Sequence, residues 1–315
     1  MIVTLTPNPS VDHALVIGAL ERGEVLRASD ARLDAGGKGV NVSRALAANG
    51  ADTVAVVPVG GHQGHLLVDL LGETGVAHRP IPISGAIRMN VSVLEPDGTT
   101  TKLNEPGPVL TPAEAQAMVT ETLEAAKGAS WLAVCGSLPP GVDTDMYAAL
   151  REGARERDVR FVVDSSGAPF TAAVATLPDL IKPNHEELAE LVGHALPTLR
   201  DVRDAARDLV SQGIGTVAVS LGGDGALLVT ADEVAHASAT VTHPLSTVGA
   251  GDCMLAGLLH GLASGLSGAE ALAGAVAWGS AAVALPGTSV PTPDDVRRIT
   301  PALSTEVPLS MVLSA

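Results

Sequence analysis

Short apolar runs recur along the chain, separated by longer stretches in which apolar residues fall three and four positions apart. Residues 2–6, 53–57, 131–135, 160–164, 180–184, 216–220 and 226–229 read as strands, the first and third as buried ones. Residues 14–17 read as a further strand, and 24–34 alternate loosely. Helical spacing predicts helices up to about 49, over 64–74, 112–127 and 145–157, from 186 onward, over 199–212, and near 251–264 and 269–285. Gly75 ends one of these; Thr111 and Pro112 open the next as cap and first helical residue. Strand and helix alternate, which predicts an α/β fold: a Rossmann-like, mainly parallel sheet flanked by helices, with right-handed crossovers. One segment departs from that rhythm. Residues 86–94 and 99–104 alternate polar and apolar around Glu95-Pro96-Asp97-Gly98, a hairpin signal that puts Arg88 and Asn90 on one face and Met89 and Val91 on the other. With residues 12–34, this hairpin would supply about four strands of a small lid. No linker, repeat or charge block divides the chain, so residues 1–315 are expected to form one domain that carries the lid.

Two glycine-rich turns lead into helices. Ser246-Thr247-Val248-Gly249-Ala250-Gly251-Asp252 runs into an apolar helix with Met254, Leu255, Leu258, Leu259 and Leu262 on its buried face. The glycines allow close approach of backbone to ligand, and the free N–H groups of the first turn make an anion site. Asp252 stands where those amides converge. It is either a helix cap or a base beside an oxyanion pocket. The second turn is Ala35-Gly36-Gly37-Lys38-Gly39-Val40-Asn41. It lacks the Lys-Ser/Thr pair of a P-loop and the third glycine of the dinucleotide fingerprint. A rigid loop at 136–141 follows a strand end, where parallel sheets build their sites.

Composition narrows the setting. Aromatic residues are 2% of the chain, so the core rests on Ala, Val, Leu and Ile. A net charge of −16 argues against nucleic acid and membrane surfaces as partners, though not against an anionic substrate in a locally positive pocket. Cys135 and Cys253 are the two cysteines, too few for a disulfide framework. The first residues lack a signal-peptide pattern and no long apolar span occurs, so a soluble cytoplasmic protein is expected. His62 and His65 read as surface residues, and no cluster suggests a metal cage built from protein ligands alone.

Taken together, six landmarks resemble the PfkB branch of the ribokinase-like sugar kinases over nearly the whole chain. They are Thr-Pro-Asn-Pro-Ser-Val-Asp at 6–12, Gly-Gly-Lys-Gly-Val-Asn-Val at 36–42, Gly-Ser-Leu-Pro-Pro-Gly at 136–141, Lys-Pro-Asn at 182–184, Ser-Leu-Gly-Gly-Asp-Gly at 220–225, and the 246–252 turn. Within that family the chain most resembles the hexose-phosphate kinases, and among these the group acting on fructose 1-phosphate; Lys-Leu-Asn-Glu-Pro-Gly-Pro at 102–108 adds to this. Groups acting on fructose 6-phosphate and tagatose 6-phosphate are the alternatives. The resemblance implies Asp252 as catalytic base, with Gly249, Ala250 and Gly251 as the anion hole. It puts Asp12, Gly37, Asn41 and Ser137 on the sugar, and Arg27, Lys38 and Arg88 on the phosphate the sugar already carries. It assigns Asn184, Ser220, Gly222 and Gly225 to the ATP groove together with Gly251. It implies ATP and Mg²⁺, allows a potassium ion near Ser246, Val248, Ala282 and Gly287, and suggests a homodimer through the lid. Cys253 stands where relatives mostly carry serine, with helix packing as its plain reading, and Val25 replaces a lysine of some fructose-6-phosphate kinases. A sugar-phosphate sensor on the same fold is the non-enzymatic alternative.

Overall fold

The computed structural model describes residues 1–314, which form two sheets. The larger has ten strands. Its parallel part runs, from one edge, β5 (His78–Pro82), β4 (Thr53–Val59), β1 (Ile2–Leu5), β8 (Trp131–Cys135), β9 (Arg160–Asp164), β10 (Leu180–Ile181) and β11 (Thr216–Ser220). β12 (Ala226–Val229), β13 (Val234–Ser238) and β14 (Ala302–Ser304) continue it antiparallel. The α/β class and the mainly parallel sheet are as the sequence implies.

Consecutive strand side chains serve opposite cores. Leu132 and Val134 face a layer with α3 (Pro112–Ala125), α4 (Asp145–Arg155), α5 (Gly167–Val174), α6 (His185–Val192) and α7 (Leu199–Ser211). Trp131, Ala133 and Cys135 face α1 (Lys38–Ala48), α8 (Ala250–Ala263) and α9 (Gly268–Val283). α2 (Gly61–Glu73) packs Leu67 and Leu71 into a third cluster with Val57 and Val11. The short α10 (Pro293–Arg297) follows α9.

The second sheet has the order β3 (Asp30–Gly36), β2 (Ser10–Val16), β6 (Arg88–Leu94), β7 (Thr100–Leu103). β6 and β7 form the hairpin, and β2 joins it in parallel with Ser10 opposite Arg88. Segment 17–29 between β2 and β3 is mostly exposed.

Several elements differ from the sequence reading. The strand expected over 180–184 pairs through only two residues, because Pro183 brings no N–H to the ladder. β5 went unread because Pro80 and Pro82 break strand propensity, yet an edge strand tolerates proline. α5 begins in Gly167-Ala168-Pro169, which reads as a turn. β13, β14 and α10 are short and carry weak periodicity.

Candidate active site

α8 begins at the edge of a cavity of about 1130 Å³. Gly249 is its N-cap at φ 79°, a left-handed conformation that favours glycine, and no side chain caps the helix. The capping alternative for Asp252 therefore falls: the residue lies inside the first turn, is 8% exposed and takes its hydrogen bond from elsewhere. Asn41 Nδ2 on α1 donates to Asp252 Oδ2 at 2.8 Å. Burial, aided by the nearby negative charge of Asp164, pushes the Asp252 carboxyl up to about 6, while Lys38, Asn41 and Lys182 pull against that rise.

Beside this carboxylate lies a buried ionic cluster. Lys38 Nζ donates to Asp164 Oδ1 at 2.7 Å, and Lys182 Nζ lies 3.2 Å from Asp164 Oδ2. Glu187 is 3.9 Å from Lys38. Burial works against the Lys38 ammonium, but Asp164, Asp252 and Glu187 outweigh it and raise its pKa above the ordinary lysine value. A Cβ built on Gly251 would sit 3.5 Å from Lys182 Nζ, so this amine stands against the start of α8.

One face of the small sheet closes the opposite wall. Its register aligns Asp34, Asp12 and Asn90 across β3, β2 and β6, and Arg32, Ala14, Ser92 and Lys102 across all four strands in the next accessible row. All seven line the cavity. Asp12 Oδ1 accepts from Ser10 Oγ at 2.6 Å and from Asn90 Nδ2 at 3.0 Å. A Cβ on Gly36 would overlap the Asp12 carboxyl group, which explains the glycine there. Arg88 donates from Nε and Nη2 to the Asn8 carbonyl at 3.2 and 2.9 Å, and from Nη1 to the Glu105 carbonyl at 3.2 Å. Three of its five N–H groups are thus engaged, two on the Asn8 carbonyl and one on loop 104–108. The third wall holds Asn184, Ser220, Gly222 and Gly225. Asn184 caps α6 by accepting from Glu187 N at 2.7 Å, and it bridges to Ser220.

The cavity brings together Asp12, Gly37, Lys38, Asn41, Arg88, Asn184, Ser220, Gly222, Gly225, Gly249, Ala250, Gly251 and Asp252. Two of the residues put on the sugar and its phosphate are not brought there. Arg27 is exposed in the segment between β2 and β3, and Ser137 is exposed, accepting from Asn8 Nδ2 at 3.3 Å. Lys38 reaches the cavity, but its ammonium turns to Asp164 rather than to the small sheet. Sequence reasoning missed Asp164, Lys182 and Glu187, whose meeting depends on the order of β9 and β10 in the sheet. It also missed Arg32, Asp34 and Lys102, which the period of two along β3 and β7 could have placed beside Asp12. Cys253 is buried and its thiol is pushed up to about 12 by burial and by Asp252, so it stays a neutral packing group. No cluster of three or more His, Cys, Asp or Glu suited to a metal ion occurs among the described residues. No helix among the described residues is long and apolar enough to cross a membrane.

Comparison with known proteins decides which family this cavity belongs to. Residues 6–295 match the family described as pfkB family carbohydrate kinase. The chain belongs to the pfkB family of carbohydrate kinases. It is 38% identical to a 1-phosphofructokinase of Rhodobacter capsulatus, over 93% of each chain. It is 40% identical to a 1-phosphofructokinase of Haloferax volcanii, over 94% of this chain and 95% of that protein. Escherichia coli phosphofructokinase-2, solved in complex with substrates and products, superposes with a TM-score of 0.90 at 36% identity, covering 94% and 97% of the two chains. The same protein has been solved with potassium.

Proposed function

We propose that this kinase transfers the terminal phosphoryl group of ATP to fructose 1-phosphate, giving fructose 1,6-bisphosphate. The carrying observation is the position of Asp252: a buried carboxylate in the first turn of α8, where the small-sheet wall and the Asn184–Gly225 wall share one cavity. Asp252 accepts the proton of the attacking sugar hydroxyl. The amides of Gly249, Ala250 and Gly251 face the oxygens of the transferred group. Asp12 and Asn90 hold sugar hydroxyls, and Arg88 with Lys102 meets the phosphate already present. Lys38 takes a role other than the one its sequence motif suggested. With Lys182 it stands on Asp164 beside the start of α8, where two ammonium groups offset charge on the group in flight.

Asn184, Ser220, Gly222 and Gly225 offer ATP a groove with little side-chain bulk. Mg²⁺ carried on the ATP phosphates would neutralise their charge, and Glu187 is a carboxylate lining that side of the cavity. Potassium is proposed among Ser246, Val248, Ala282 and Gly287; three of these line the cavity, and Ser246 N donates to the Val283 carbonyl at the end of α9. The small sheet acts as the lid, excluding water during transfer. Its outer face carries Leu33, His13, Val91 and Leu103 in one row, with Leu103 61% exposed. That face suits a second copy of the chain, and the mass in solution by light scattering tests for the dimer. The setting proposed is the cytoplasm.

The test is ADP release with fructose 1-phosphate, fructose 6-phosphate and tagatose 6-phosphate. The expected result is the highest kcat/KM with fructose 1-phosphate; preference for a 6-phosphate would move the substrate assignment and leave the base in place. Turnover with none of them would favour a sensor. The pH profile supplies a second check. A base must be ionised, and the Asp252 carboxyl lies near 6, so kcat/KM should fall as pH drops through about 6. A rate unchanged from pH 7.5 down to about 4.5 would rule Asp252 out as the titrating base.

A further inference from the structure

Arg44 lies on α1 one turn beyond Asn41 and is 8% exposed, a depth at which arginine is rarely found without partners. Three elements supply them. Nη2 is 3.7 Å from Asp34 Oδ1 on β3. Nη1 donates to the Ala35 carbonyl at the end of β3 over 3.4 Å and to the Thr288 carbonyl, in the loop after α9, over 3.3 Å. It also donates to Asn41 Oδ1 over 3.4 Å. This last contact leads to the reacting centre, because the other end of the same carboxamide, Nδ2, donates to Asp252.

The chemistry of the three groups fixes which way the amide points. A guanidinium only donates, an ionised carboxylate only accepts, and a carboxamide does one at each end. With Arg44 on one side, oxygen must face it and NH₂ must face Asp252. If Arg44 let go, the amide could turn over. Its oxygen would then face the carboxylate, an arrangement that favours a protonated Asp252, and a protonated carboxyl cannot take the proton of the sugar.

We propose that Arg44 is a positioning residue for phosphoryl transfer: held by Asp34, it fixes the Asn41 carboxamide so that its NH₂ stays toward Asp252. This rests on the reading of Asp252 as base. The arrangement also joins two separate segments, since β3 and the loop at Thr288 meet the same guanidinium, and Thr288 Oγ1 itself donates to Asp34 Oδ2 at 3.3 Å. A shift of the small sheet is thereby felt at the base through one side chain. The groups facing Asp252 are Lys38 and Asn41 from α1, Asp164 from β9 and Lys182 beyond β10, with Cys253 next in sequence; those facing Arg44 are Asp34, Arg32, Asp12 and Cys253. All remain in an Arg44 variant, so a changed profile reports the amide and the lost charge together.

The experiment is a double-mutant cycle on kcat and on the acid limb of kcat/KM, using Arg44→Met and Asn41→Ala. Arg44→Met should lower kcat at least about tenfold, move the acid limb to higher pH, and change either KM less than about threefold. In the Asn41→Ala background the same change should cost less than about threefold, because the route to the base is already cut. Losses that multiply in full, or an acid limb that stays put, would overturn the proposal. Where Arg44→Met does not unfold cooperatively and so gives no folded protein, Arg44→Lys runs through the same cycle. A lysine keeps the charge but not the planar fork; the same non-additive loss with the same limb shift supports the proposal, and anything else overturns it. Asp252→Asn separates the two readings: an active Asp252→Asn removes the base itself, whereas an inactive one beside a multiplicative cycle removes only Arg44.

Discussion

Asp252→Asn is expected to lower kcat by roughly a thousandfold or more, with ATP affinity unchanged or slightly improved. Proton transfer by a placed side chain contributes about 10²–10⁴ in rate, and an amide cannot accept the proton. The substitution is nearly isosteric, and Asn41 can still donate to the new carbonyl oxygen. It also removes a buried negative charge that stands near Asp164 and faces incoming phosphates, so neither folding nor nucleotide binding should suffer. Single-turnover kinetics with an independent ATP-binding measurement would check both halves. A variant keeping more than about a tenth of the wild-type kcat would end the case for Asp252 as base.

Asp164→Asn should have the largest effect on stability. Asp164 is fully buried and is the shared counter-ion of Lys38 and Lys182. Removing one member of such a cluster leaves charge buried without compensation, at about 3–5 kcal/mol. Glu187 lies 3.9 Å from Lys38, and that lysine is 34% exposed, so the lower end of the range is expected. At about 2.1 cal/mol/K of unfolding entropy per residue, a loss of about 3 kcal/mol corresponds to a fall in Tm of roughly 4–5 °C in a chain of 315 residues. The same variant carries an independent signature. Asp164 raises the Asp252 pKa while Lys38 and Lys182 lower it. Without Asp164 both lysines act on Asp252 unopposed, and the acid limb of the rate profile should move to lower pH. Thermal unfolding and the pH profile together test the cluster; an unchanged Tm and an unchanged limb would show that the three charges do not act as a unit.

The parts of this architecture that sequence made legible are those governed by neighbours along the chain. The start of α8 could be read because Gly249 and Gly251 precede an apolar helix face. β8, β9, β11 and β12 fall at the expected residues because each is a short apolar run closed by a turn. The hairpin of β6 and β7 was visible from its alternation around Pro96-Asp97-Gly98. What escaped depends on contacts between distant segments. Nothing around Lys38 announces that its ammonium will meet Asp164, 126 residues away. Arg27 carries the right charge, but it lies in an exposed segment whose course no periodicity fixes. Ser137 follows a buried strand at a position typical of site loops, yet its hydroxyl turns to Asn8. Nothing near Arg44 in sequence sets it apart from other helix arginines, because the carbonyls and carboxylate it meets come from β3 and from the loop beyond α9.

The parallel pairing of β2 with β6 has a consequence for how the chain is made. β2 and β3 leave the ribosome long before β6 does, and a two-stranded ribbon alone is marginal in water. Their partner becomes available only after β4, α2 and β5 have been synthesised between them. During that interval the future cavity wall, with Asp12, Arg32 and Asp34, has no third strand to hold it. The four strands of the small sheet are thus complete by residue 103, well before β9 and α8 bring Asp164 and Asp252, and a chain arrested ahead of residue 88 would be expected to expose β2 and β3 to proteases.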